Sequence, residues 1–377
     1  MNYFNTFLVI LLLFFNCDKA TTNREKPANF IDKKPFKYKA DLIVDKLEQP
    51  WGMAFLPDGA LLITEKKGEI IHFKNGKRTN ITGAPTTILQ GQGGLMDIQL
   101  DPNYAKNGWI YMSYASNIEN DGNGANTTIA RAKLSNFALT NLQVLYKATP
   151  NTKKGQHFGS RIAFDKNGYL YFSIGDRGNH DENPQDIKRD GGKIYRINTD
   201  GTIPTSNPFY NTAGAKKAIF SYGNRNPQGM ILNTSTGEIW AHEHGPKGGD
   251  EINIIKAGKN YGWPKASYGI NYNDTVLTKN KTLTGMENPI HYWVPSIAPS
   301  GMAYVTSPKY PEWKGNLLVG SLKFMYLNRV VLANNKVVKE EKLMQDIGRV
   351  RTVIQAPDGY IYVAVEFKGI YRITPTS

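Results

Sequence analysis

Cysteine is almost missing from the sequence: Cys17 stands alone among 377 residues, so no disulfide can form within the chain. Zinc sites built from regularly spaced His and Cys are excluded with it. Long segments of helical period are also scarce, which predicts few helices. The Gly91-Gln92-Gly93-Gly94 stretch lacks the following helix that a dinucleotide or phosphate loop must open. No serine-triad signature occurs. The formal charge of +14 comes from Lys and Arg spread along the chain, without a recognition helix or an aromatic RNA-binding motif, so nucleic acid is not the expected partner. An anionic ligand or a basic soluble surface is what that balance predicts.

What is present is β-forming. There are 36 Gly, 21 Tyr and 16 Phe, set in short alternating segments broken by turns. The length would allow two or three domains, but a recurring unit points to one. An apolar strand, an Asp/Asn/Gly turn and a second apolar strand recur six times. The units begin at Trp51, Gly94, Ser160, Gln228, Ser300 and Val350; the first, for example, is Trp51 to Phe55, then Pro57-Asp58-Gly59, then Leu61 to Ile63. Hairpins of this kind cannot bury both faces alone, so they stack radially into an all-β, six-bladed β-propeller. Tyr38 to Val44 and Gly369 to Ile373 are expected to share the closing blade. The longer spacers, Ser116 to Thr128, Pro204 to Lys217 and Tyr268 to His291, are expected on the face that walls a site.

The N-terminus reads as an export signal over 1–17, with an apolar run from Phe7 to Phe15 that is too short to span a bilayer comfortably. A sole cysteine directly after that run predicts lipid attachment at Cys17 and a periplasmic or outer-membrane location. No Lys or Arg precedes the run, and Phe15-Asn16 is bulkier than the usual residues before a lipidated cysteine. Residues 18–36 would form a flexible tether, leaving 37–377 as one catalytic propeller.

Polar residues gather where the units begin, which in a propeller is near the axis. Gln92 precedes the second unit, His157 the third, and Arg225 with Asn226 the fourth; Arg349 and Arg351 open the sixth, while Asp176 and Lys323 follow paired strands. His157 is the candidate general base, with Asp176 to orient its second nitrogen. Lys323, Arg349 and Arg351 form a cationic set that calls for an anion. The turn His244 to Glu251 leaves backbone carbonyls free beside carboxylates, donors that suit a hard cation such as calcium. A structural histidine, solvated cations and a plain glycine turn are the competing readings of the same residues.

From about Gln49 onward the motifs GQGGLMD, HFGSRIAF, IGDRG, GKIYRINTDG, YGNRNPQG, EHGPKGGDEIN, GKNYGWP, SLK and RVRTV follow one another. In this order they resemble the soluble quinoprotein glucose/sorbosone dehydrogenases, most closely the periplasmic aldose sugar dehydrogenases. The resemblance implies a six-bladed propeller with pyrroloquinoline quinone in a central pocket on the loop face, on a calcium ion held partly by the carbonyls of Gly245 and Pro246. It implies that Gln92, Arg225, Asn226, His244, Lys323, Arg349 and Arg351 bind the quinone. His157, oriented by Asp176, would take the proton of the sugar C1 hydroxyl, and hydride would pass to the quinone beside calcium and Arg225. The implied product is the aldonolactone, with electrons leaving to an external acceptor.

Gln156 and His244 depart from the glucose-specific pattern, which has an acidic residue and a glutamine at those places. The loop 268–291 also differs, with His291, Trp293 and Ser296 expected at the sugar entrance. Two other functions fit a calcium-containing propeller: a sugar-lactone hydrolase, and a cofactor-free propeller that binds a glycan or a protein. The cationic triplet argues against the first, and the His157 and Asp176 pair against the second.

Overall fold

The computed structural model describes residues 36–117 and 121–376. The expected signal and nearly all of the expected tether lie outside them. The described chain forms six four-stranded antiparallel sheets, over residues 50–81, 95–147, 162–222, 227–293 and 299–343, and a sixth made of 350–375 together with Tyr38–Val44. The all-β, six-bladed propeller is therefore observed. Among the described residues one short helical turn, Tyr104–Asn107, interrupts the strands, and no helix is long and apolar enough to cross a membrane.

The hairpins form where the repeat places them. In the first, third and sixth sheets the turn aspartate accepts backbone N–H groups two residues on: Ala60 to Asp58 at 3.1 Å, Asn167 to Asp165 at 2.9 Å and Tyr360 to Asp358 at 2.9 Å. The glycine that ends each turn has φ near +80°, a region that costs other residues strain. Apolar side chains between neighbouring sheets make the core. Leu62, Ile98 and Ile110 fill one such layer, Phe172 and Tyr195 another, and Trp240, Leu317 and Val319 a third. The ring closes non-covalently, with Tyr38 opposite Pro375, Ala40 opposite Ile373 and Leu42 opposite Tyr371.

The first strand of each sheet lies innermost, so the six strands Pro50–Phe55, Leu95–Leu100, Ile162–Phe164, Pro227–Asn233, Pro299–Tyr304 and Val350–Gln355 ring the axis. A buried ion pair ties them together. Arg161 Nη1 lies 3.3 Å from Asp97 Oδ1; its other nitrogens donate to the carbonyls of Gln228 (2.7 Å) and Arg351 (2.9 Å) and to the Thr352 hydroxyl (2.8 Å). Its guanidinium also stacks 4.1 Å from the Trp51 ring centre. Burial pulls Arg161 down to about 10 and pushes Asp97 up, opposed in each case by the other partner. One arginine thus joins four sheets at the centre of the ring.

Candidate active site

A cavity of about 740 Å³ opens where the inner strands begin. Its lining contains five cations, Lys66, Lys247, Lys323, Arg349 and Arg351, and no carboxylate. Behind the wall, the buried Glu366 pairs with both arginines: Oε2 accepts from Arg349 Nε at 2.6 Å, and Oε1 from Arg351 Nη2 at 2.5 Å. Burial would raise the Glu366 pKa, but the two arginines outweigh it and hold it low. One carboxylate serves two guanidinium groups, so the cavity keeps an excess of positive charge. Lys66 feels it: burial first, and then Arg351, lower its pKa, while its Nζ donates to the Gly91 carbonyl at 2.6 Å.

Beside the cavity lies His157. Its backbone N–H donates to Oε1 of Gln92 at 2.8 Å, and its neighbours Gln92 and Phe158 line the cavity. The residue sits in the left-handed region, at φ 58°, in a loop that also needs Gly159, where a Cβ would stand 2.7 Å from the Gly175 nitrogen. Such backbone costs on the order of 1–3 kcal/mol and persists where the surroundings impose it. Arg177 does so here, packing 3.4 Å from the Phe158 ring centre and donating to the carbonyls of Lys154 and Gln156.

The imidazole is equally constrained. Nδ1 lies 2.6 Å from Asp176 Oδ1, which also accepts the Gly178 N–H at 2.7 Å; Oδ2 accepts the indole N–H of Trp263 at 2.8 Å. Burial would raise the Asp176 pKa, but His157 and the other donors overcome it and keep the carboxylate ionised. An ionised carboxylate only accepts, so Nδ1 carries the proton and Nε2 keeps its lone pair. Burial lowers the His157 pKa, with Asp176 opposing and Arg225 and Arg177 adding to the fall.

Five of the seven residues expected to bind the cofactor line the cavity: Gln92, His244, Lys323, Arg349 and Arg351. The other two are buried beside it. Arg225 Nη1 donates to the carbonyls of Gly245 (2.9 Å) and His244 (3.2 Å), and its guanidinium lies 5.3 Å from the Trp263 ring centre. Asn226 Oδ1 accepts the Gly159 N–H at 3.1 Å. His244 Nε2 meets the Pro299 carbonyl at 2.7 Å, and burial holds its pKa well below the usual range. Of the residues expected at the entrance, Ser296 lines this cavity, whereas Trp293 lines a neighbouring groove and His291 meets Glu340 at 3.0 Å.

The turn after the fourth sheet's second strand is held from below. Asp250 Oδ1 accepts the Gly245 N–H at 2.8 Å, and its Oδ2 accepts the N–H groups of Ile297 (2.8 Å) and Ala298 (3.0 Å). Burial nevertheless pushes Asp250 up to about 6. Glu243 and Glu251 face each other across two buried strands, bridged by the Asn253 amide. Burial raises Glu243 to about 7 and, with help from Glu243, raises Glu251 well above its ordinary value. Among the described residues no three His, Cys, Asp or Glu side chains converge to hold a metal.

Lys66, Glu366 and Trp263 belong to this arrangement but were not singled out in the sequence. For the first two a signal existed. Each directly follows or ends the second strand of its unit, the place that pointed to Asp176 and Lys323. Trp263 had no such signal, since only the folded loop brings it to Asp176.

With this geometry in place, the comparisons with known proteins are decisive. The sequence profile described as Glucose / Sorbosone dehydrogenase matches residues 47–372. The chain belongs to that family. It is 40% identical to the aldose sugar dehydrogenase YliI of Escherichia coli over 340 residues, covering 88% of this chain and 91% of that protein. The crystal structure of the E. coli soluble aldose sugar dehydrogenase in its apo form superposes with a TM-score of 0.87 at 38% identity, over 90% of this chain and all of the other. The PQQ-bound form of an aldose sugar dehydrogenase from Streptomyces coelicolor gives a TM-score of 0.74 at 28% identity, over 90% and 99% of the two chains. Membership of this family makes the protein an oxidoreductase acting on sugars.

Proposed function

We propose that the protein is an exported quinoprotein that oxidises the C1 hydroxyl of aldoses to the aldonolactone and passes the electrons to an external acceptor. One observation carries this reading: a cavity ringed by five cations, with no carboxylate in its lining, adjoins a histidine held by a buried aspartate. Cations drawn out of water call for anions, and pyrroloquinoline quinone, a planar tricarboxylate, meets that demand. Lys323, Arg349 and Arg351 would hold its carboxylates, with Gln92, His244, Arg225 and Asn226 around it. The carbonyls of Gly245 and Pro246 are hard oxygen donors of the kind calcium takes. A Cβ at Gly245 would stand 2.1 Å from the Gly248 carbonyl, so the backbone itself forms that edge of the site. Calcium takes about 6–8 oxygens, so the bound ligand and water would supply the rest. When bound, the quinone supplies a two-electron acceptor for the C1 hydride and calcium a Lewis acid beside it.

The chain's own share of the chemistry is proton handling and orientation. Asp176 fixes the His157 tautomer, and Nε2 takes the O1 proton of the sugar. Because burial depresses its pKa, His157 is neutral and ready to accept that proton at pH 7. Arg225, pinned on the Gly245 carbonyl, is a positioned cation for negative charge that develops during hydride transfer. Export through 1–17, lipid attachment at Cys17 and the 18–36 tether belong to the same proposal, with 37–377 as the catalytic unit outside the cytoplasmic membrane.

The test is sugar-dependent reduction of an electron-accepting dye by purified protein lacking the residues before Lys19, with and without quinone and calcium. Activity that requires both supports the proposal. No activity together with no quinone binding by absorbance would sink it, and hydrolysis of an aldonolactone with calcium alone would point to a lactone hydrolase instead.

A further inference from the structure

The loop that carries Asp176 runs over 175–192 with no regular strand or helix, between the paired strands Leu170–Ile174 and Lys193–Ile197 of the third sheet. Lys193 stands opposite Ile174, and so closes the loop beside the point where Asp176 opens it. The lysine is fully buried, and its Nζ donates to the carbonyl of Gly191 at 2.7 Å and to that of Asn183. Among the described residues no carboxylate forms an ion pair with it. Asp190 and Asp186 favour its charge from a distance, while burial pulls its pKa down to about 7. Burying a cation without a counter-ion is unfavourable, and an apolar residue at this position would avoid it. What the lysine supplies is donors: charged or neutral, the amine offers the two N–H groups that these carbonyls need.

Asn183 passes this restraint on. Its Nδ2 donates to the main-chain carbonyl of Asp176 at 3.0 Å, and Arg189 Nε fixes the orientation of the amide by donating to its Oδ1 at 3.1 Å. The Asn179 N–H donates to the same Asp176 carbonyl at 3.0 Å, and the Asp176 N–H donates to the carbonyl of Arg225 at 2.8 Å. The main chain is therefore tied on both sides of Asp176, which aims its carboxylate at His157. The return of the loop is equally tight: a Cβ at Gly191 would stand 3.0 Å from the Gly175 carbonyl oxygen, and one at Gly192 2.6 Å from that of Asn224. We propose that Lys193 is a positioning residue for the His157 and Asp176 pair, acting through Asn183 on the main chain of Asp176. That His157 serves as a base rests on the sugar-oxidation reading above; that Lys193 sets the hydrogen bond between His157 and Asp176 does not.

The experiment follows the Nδ1 proton of His157 by NMR in the full chain, with isotope-labelled histidine and no added quinone, and identifies its low-field resonance by its loss in His157→Ala. In Lys193→Met that resonance is expected to move upfield or vanish. Dye reduction with quinone and calcium is expected to show kcat lowered by up to roughly a hundredfold, as for a displaced catalytic group, with the sugar KM little changed. Asn183→Ala cuts the same path one link further on and should reproduce both effects, and the double variant should fall short of their sum. Tyr111→Phe is the control for lost stability: it removes a buried hydrogen bond to Asp101 (2.9 Å) away from the loop, and should leave the resonance and kcat in place. An equal effect of this control, an unmoved resonance in Lys193→Met or a change confined to KM would overturn the proposal, as would a wild type without the resonance. Where Lys193→Met does not fold, Asn183→Ala decides by the same criteria. A protein that oxidises no sugar is still tested by the resonance, and an active enzyme whose resonance ignores Lys193 keeps its function and loses this account of the lysine.

Discussion

Trp263 and Asp176 are joined by a hydrogen bond of 2.8 Å from the indole N–H to Oδ2, on the carboxylate whose other oxygen holds His157. The same indole ring lies beneath the Arg225 guanidinium. The proposed base and the proposed cation therefore share one support, which comes from a loop of the fourth sheet. Replacing Trp263 with Phe removes the N–H and keeps most of the ring. The expected outcome is a kcat several-fold lower with the sugar KM little changed, measured by dye reduction. A shift confined to KM would refute a positioning role.

His157→Ala should lower kcat by roughly 10²–10⁴, the usual contribution of a positioned base, while quinone binding followed by absorbance persists. Substantial turnover in this variant would remove His157 from the mechanism. The pH profile carries a second test. The base works when neutral, and its pKa is depressed, so kcat/KM should rise with pH through a value below 6.5 and level off near neutrality. Asp176 opposes that depression, so Asp176→Asn should move the rising limb to lower pH while reducing the plateau.

Lys66 and Lys323 are expected to act on the anion and not on the sugar. Truncating either to Ala removes a charge-assisted contact worth about 1.5–3 kcal/mol. The dissociation constant for quinone should then rise by roughly ten- to a hundredfold. Titration by absorbance checks this, and an unchanged affinity for Lys323→Ala would contradict the cavity's role. Raised salt should weaken the interaction less than for exposed charges, because Lys66 is partly buried.

Much of this was legible in the sequence, and the reason is repetition. Six hairpins with the same turn chemistry leave few folds other than a closed ring, and the match between Tyr38–Val44 and Gly369–Pro375 follows from needing to complete it. Gln92, Arg349 and Arg351 were legible for the same reason, since the start of each unit falls near the axis, and Lys323 because it follows the paired second strand of its unit. Arg225 and Asn226 sit at such a position too, yet they lie buried beside the cavity, because Glu243 and the Gly159 N–H hold them there. No spacing rule reports a partner that distant in sequence. Trp263 reaches Asp176 across 87 positions, and Arg161 reaches Thr352 across 191.

The Glu243 and Glu251 pair should be visible in stability against pH. Both folded-state pKa values are raised, Glu243 to about 7 and Glu251 well above its ordinary 4.5, with burial as the first cause. A raised carboxyl binds its proton more tightly in the folded chain. Its contribution is thus complete below pH 4.5 and is lost as pH rises through about 7. Glu251→Gln should flatten the fall in Tm across that window, and an unchanged slope would show that the pair does not titrate there.

Arg161 sets the last expectation, because its side chain reaches four other sheets at the axis. Replacing it with Leu strands Asp97, which is 1% exposed, without its counter-charge. Breaking a buried pair from one side typically costs about 3–5 kcal/mol. Removing both charges, as in Asp97→Asn with Arg161→Leu, should cost less than the sum of the two single changes, because no unpaired charge is left behind. Urea denaturation of the four proteins gives the coupling directly. Additive losses would mean that the ring is held by its sheet-to-sheet cores alone.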